Sequence, residues 1–91
     1  MSKSHSQIQP QKGPDRAFGE ALKEVRRERG LSQMDLYLAS GIDRTYISLI
    51  ERGIRSPTIR MIARFAKYLK ISPSELVSRM EQSKWYSERD L

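Results

Sequence analysis

Large apolar residues along this chain fall into five short runs at helical spacing, each bounded by residues that start or stop a helix. In the first run Phe18, Leu22 and Val25 stand at i, i+4 and i+7, predicting a helix from about Asp15 to Arg29. Gly30 closes it, and Arg26, Arg27 and Arg29 put cations at the negative end of its dipole. The second helix begins at Ser32. Ser32 and Asp35 have capping-box spacing, while Leu31 and Leu36 flank the cap as a hydrophobic staple. Ala39, Ser40 and Gly41 end it. The third run repeats the arrangement: Asp43 caps, Ile42 and Ile47 staple, Ile47 and Ile50 point inward, and Gly53 ends the helix.

The fourth helix starts within Ser56-Pro57-Thr58. Its stripe of Ile59, Ile62, Ala63, Ala66 and Leu69, widened by Met61 and Phe65, reads as core. In the fifth, Ser72 caps, Pro73 takes the first helical position, Glu75 stands as box partner, and Ile71 staples to Leu76. That helix is expected to reach about Met80 and to fray through Glu81 and Gln82. No segment sustains strand alternation, so the fold class is all-α. Residues Met1 to Pro14, rich in Ser, Gln, Lys and Pro, read as a disordered arm. A compact domain over 15–80 and a C-terminal tail over 81–91 complete the organisation.

Composition narrows the function. A chain of 91 residues with 37% hydrophobic residues and a mean hydropathy of -0.67 supports one modest core. Seventeen Lys and Arg against eleven Asp and Glu leave a net charge of +6 and a pI near 10.0, which favours polyanionic partners. There is no cysteine, so disulfides, thiolate metal sites and a cysteine nucleophile are excluded. No apolar run approaches the roughly 18 residues of a membrane span, and residues 1–14 lack the apolar block of a secretory signal. The expected location is cytoplasmic. No nucleophile–base pair, paired carboxylates, phosphate-cradling glycine loop or metal-ligand cluster occurs, so neither enzyme activity, nor metal, nor cofactor is expected.

The second and third helices meet at Ser40-Gly41-Ile42-Asp43, a turn short enough to hold them steeply crossed. Beyond it, Arg44, Thr45, Tyr46, Ser48 and Arg52 all carry hydrogen-bond donors on the first turn and outer face of one helix. The major groove of B-DNA admits one α-helix, which reads base edges with its N-terminal residues. Arg44 suits a guanine edge, Thr45 a base edge or thymine methyl, and Leu49 a thymine methyl. Gln33, on the first turn of the second helix, suits a phosphate, as do Tyr46, Ser48, Arg52 and Arg55. For Tyr46, a ring packed on the domain edge is the alternative.

The runs Gly30-Leu31-Ser32-Gln33, Ser40 to Gly53, Pro57-Thr58-Ile59 and Ile71 to Leu76 together resemble the XRE family of helix-turn-helix proteins, which includes the lambda and Cro-type repressors. The run Asp43 to Ser48 is also similar to restriction–modification controller proteins. The resemblance spans about Phe18 to Met80 and implies a five-helix, lambda-repressor-like domain, double-stranded DNA as partner, a homodimer, and transcription regulation, often as a repressor. By position, Gln33 resembles a phosphate clamp, Arg44 and Thr45 the base readers, and Arg26 with Glu51 a partly buried ion pair. Leu76, Val77 and Met80 follow the family's core position and dimer edge. Two positions depart from the pattern: Tyr37 stands where the family has Ala, and Lys70 where it often has Gly. Trp85 and Tyr86 lie beyond the domain, as either an interface or a solvated tail. A different class of function, an antitoxin-like module that binds a toxin-like protein and regulates its own gene, is the alternative.

Overall fold

The computed structural model describes residues 13–91. Most of the expected arm therefore lies outside the described residues. Five α-helices follow one another: α1 (Pro14–Glu28), α2 (Gln33–Ser40), α3 (Arg44–Glu51), α4 (Ile59–Leu69) and α5 (Pro73–Gln82). A single 3-10 turn, Glu88–Asp90, follows, and there is no strand among the described residues. The fold is the all-α architecture expected of a lambda-repressor-like domain. α1 opens at Pro14, one residue before the expected start, and α5 runs through Gln82.

The helix starts follow local chemistry. Ser32 Oγ accepts from Asp35 N–H at 2.9 Å while Asp35 Oδ2 accepts from Ser32 N–H at 2.8 Å, completing a capping box despite its aspartate. Ser32, through its backbone N–H first and its side chain second, holds the Asp35 carboxyl below its usual range. Asp43, Thr58 and Ser72 each cap a helix through the side-chain oxygen. At Ser72 only one half of the expected box forms, with Glu75 N–H donating to its hydroxyl at 3.0 Å.

The core joins all five helices. α1 packs on α3, α4 and α5, while α2 packs on α3 and α4. Phe18, Leu22, Val25, Leu36, Ile47, Ile50, Phe65, Leu69 and Leu76 are buried at its centre, with the Phe18 and Phe65 rings tilted at 6.5 Å. One part of the expected core is corrected. Ile59 is 85% exposed and Ala63 is also exposed. Periodicity continues along α4 for a turn beyond the surfaces it packs on, so only Phe65, Ala66 and Leu69 are buried, with Met61 and Ile62 partly covered.

Lys70 takes the left-handed conformation (φ 58°) that the family often gives to glycine. Ile71 N–H returns to the Ala66 carbonyl, and Arg29 Nε donates to the Leu69 carbonyl at 2.8 Å. These bonds satisfy the end of α4 without a glycine. Tyr37, at the other departure, is 40% exposed.

The C-terminal segment folds back. The Arg16 guanidinium lies 4.1 Å from the centre of the Trp85 ring, and Lys84 lies 5.4 Å from it. Arg79 ties α5 to α1 by bonding Glu28 at 2.6 Å and Glu24 at 3.1 Å. The bond from Arg79 pulls the Glu28 carboxyl below its ordinary value, and the same bond raises the arginine.

Candidate nucleic-acid interface

The turn between α2 and α3 is built from both sides. Gly41 adopts φ 74°, and its N–H donates to the Tyr37 carbonyl at 2.8 Å. Buried Ser40 links the two helices: its hydroxyl donates to the Leu36 carbonyl at 2.6 Å and accepts from Ile42 N–H at 3.0 Å. From α4, Arg64 Nη2 donates to the Ser40 carbonyl at 2.9 Å. Arg64 does not stand out in the sequence, because it acts across 24 residues through a contact set by the tertiary fold.

α3 divides cleanly. Ile47, Ile50 and Glu51 are buried, while Arg44 and Thr45 are exposed on its first turn. At about 100° per residue, Thr45, Leu49 and Arg52 share the outward face, flanked by Arg44 and Ser48 on the Gln33 side. Gln33, Arg44, Thr45 and Ser48 line one shallow depression. Two of the three expected base readers, Arg44 and Thr45, thus lie together with two of the phosphate residues, while Leu49 is not part of the depression. Arg55 is exposed beyond the end of α3. Tyr46 is partly buried against the core.

Behind this face the expected Arg26–Glu51 pair is buried and bidentate, with Nε to Oε2 at 2.6 Å and Nη2 to Oε1 at 2.9 Å. Arg26 Nη1 also donates to the Leu31 carbonyl at 2.7 Å, so one guanidinium joins α1, the start of α2 and the end of α3. Gln33 Nε2 donates to Glu51 Oε1 at 2.9 Å. The sequence does not reveal this third partner. Nor does it reveal what Gly19 faces: an added Cβ there would lie 2.6 Å from the Glu51 carbonyl oxygen. That close approach of α1 to α3 brings the pair within reach.

Of the carboxylates on α1, Glu20 pairs with Arg16, and Glu24 and Glu28 pair with Arg79 of α5. Among the described residues, Arg44, Arg52 and Arg55 form no ion pair, leaving net positive charge around α3. Of the expected dimer residues, Leu76 is corrected: it is wholly buried in its own core and has no surface to offer. Val77 is exposed, Met80 is partly buried against the core, and Trp85 and Tyr86 are half-buried. Among the described residues there is no group of three metal-ligating side chains, and no helix is long and apolar enough to cross a membrane.

The helix-turn-helix family model HTH_3 matches residues 22–76. An uncharacterised helix-turn-helix transcriptional regulator of Sinorhizobium fredii is 35% identical over 65 residues, covering 71% of this chain and 84% of its own. Control protein C.MunI of a Mycoplasma species is 38% identical over 66 residues, 71% of this chain and 89% of its own. Among solved structures, the restriction–modification controller protein C.AhdI from Aeromonas hydrophila has 43% identity and a TM-score of 0.64, covering 67% of this chain and 92% of that one. The controller protein C.Esp1396I, solved as a tetramer with its natural 35-base-pair operator, has 33% identity and a TM-score of 0.69 over 76% of this chain and 91% of that one.

Proposed function

Because the chain belongs to the HTH_3 helix-turn-helix family and is a DNA-binding regulator of that kind, we propose that it binds double-stranded operator DNA as a homodimer. Each α3 enters a major groove, the two about 34 Å apart on a two-fold site. Arg44, Thr45 and Leu49 read bases. Gln33, Ser48, Arg52 and Arg55 hold phosphates, joined at the edge by the Tyr46 hydroxyl. The observation that carries this reading is the division of α3, with Ile47 and Ile50 sealed in the core and unpaired Arg44 exposed with Thr45 beside Gln33. The likeness to controller proteins, one of them solved on an operator, supports the same mode of action. Val77, Met80, Trp85 and Tyr86 form the dimer edge.

Selection of sites from a randomised duplex pool, with Arg44→Ala in parallel, tests the proposal. The parent should return a palindromic motif. The variant should lose about 1–3 kcal/mol and relax one symmetric position. An unchanged motif in the variant would remove Arg44 from the reading head.

A further inference from the structure

We propose that Glu51 and Arg26 are positioning residues for DNA binding: together they set which end of the Gln33 amide faces the phosphate. The inference rests on the reading of Gln33 as a phosphate contact. The geometry is a relay. Glu51 Oε1 accepts from both Arg26 Nη2 and Gln33 Nε2, each at 2.9 Å, while Oε2 accepts from Arg26 Nε.

Three chemical facts give the relay direction. A carboxylate only accepts, so the Gln33 end that faces Glu51 is its NH2. A phosphate oxygen also only accepts, and the amide nitrogen carries two hydrogens. With one hydrogen spent on Glu51, the other remains for DNA, on a nitrogen whose position is fixed. Without the carboxylate the amide is free to turn and present its oxygen, which repels a phosphate. Arg26 has the complementary task. A bare carboxylate behind the clamp opposes the approach of an anion, and the bidentate guanidinium neutralises it. Both members are buried, with side chains 8% and 2% exposed, so solvent screens little of this.

A purely structural pair makes a different prediction from a positioning one. Replacing a buried ion pair by apolar side chains of similar size often preserves or raises stability. The double substitution Arg26→Met with Glu51→Leu therefore removes the relay while keeping the fold, which a thermal melt verifies. If this double variant melts below the assay temperature, Glu51→Asp retains the charge opposite Arg26 and withdraws the oxygen from Gln33. Affinity for one selected operator duplex is then measured for the parent, Gln33→Ala, the relay variant, and the relay variant carrying Gln33→Ala. Loss of a hydrogen bond to a charged group should make Gln33→Ala about tenfold weaker in the parent. The relay variant should weaken by a similar factor, and adding Gln33→Ala to it should cost no more than about twofold. If the relay variant binds like the parent, or the two losses multiply in full, the positioning role is overturned while the phosphate contact stands. If Gln33→Ala alone binds like the parent, the phosphate contact itself is wrong and the relay falls with it.

Discussion

Gly19→Ala should destabilise this protein, although the same change at an exposed helix position stabilises. Alanine in place of a mid-helix glycine normally contributes about 0.5–1 kcal/mol through backbone entropy and propensity. At Gly19 the new methyl would lie 2.6 Å from the Glu51 carbonyl oxygen and 2.9 Å from its carbon, and closer still to the Ile50 carbonyl oxygen. Ordinary contact between heavy atoms begins near 3.5 Å, so something must retreat by roughly 1 Å. All three obstacles are backbone atoms at the end of α3, and no side chain can swing aside. Overpacking of this kind costs about 1–3 kcal/mol, and a backbone obstacle belongs at the upper end. After the propensity gain the net loss is about 2 kcal/mol, which in a domain of this size lowers Tm by about 8–16 °C. Far-UV circular dichroism during heating measures it. A Tm equal to or above the parent's would refute the reasoning, because it would mean that α1 and α3 can separate without cost.

Lys70→Gly should act in the opposite sense. A lysine in the left-handed region costs about 1–2 kcal/mol, against about 0.5–1 kcal/mol for the added freedom of an unfolded glycine, so a gain of about 0.5–1 kcal/mol is expected as a higher Tm. Arg55→Ala should weaken binding to all duplexes alike and reduce the slope of log affinity against log salt by about one, as a titration across salt concentrations will reveal. Acid should destabilise the fold through Asp35 and Glu28. Both folded carboxyls are held below their ordinary values of 3.8 and 4.5, so their contribution is complete above that range and is lost as pH falls through the lowered folded values. Asp35→Asn combined with Arg79→Ala should flatten the acid limb of a Tm-against-pH curve, and an unchanged limb would dismiss these two groups as its source.

What the sequence discloses and what it hides divide along a physical line. Caps are local, so Ser32, Asp43 and Ser72 announce α2, α3 and α5 within a few residues of the observed starts. The face of α3 is equally legible, since alternation of Ile47 and Ile50 with Arg44, Thr45 and Ser48 needs only the helical repeat. Ile59 misleads because the repeat says which side of a helix is apolar, not how far its neighbours extend. The bond from Gln33 to Glu51 crosses 18 residues, and the stacking of Arg16 on Trp85 spans more of the chain still. Such contacts are properties of the assembled helices. Gly19 does leave a trace, a lone glycine inside an apolar helical pattern, but the trace reports an unusual position without naming its neighbour.

Trp85 is the one tryptophan of the chain, and its ring is half-buried beneath the Arg16 side chain. The molecule therefore carries its own optical label at a single, known joint. When residues 83–91 lift away, that ring passes from beneath a cation into water and its emission changes, while nearly all helical structure remains. Fluorescence and helicity followed on the same sample will then trace separate curves if the segment opens by itself, and coincident ones if it leaves only with the whole fold.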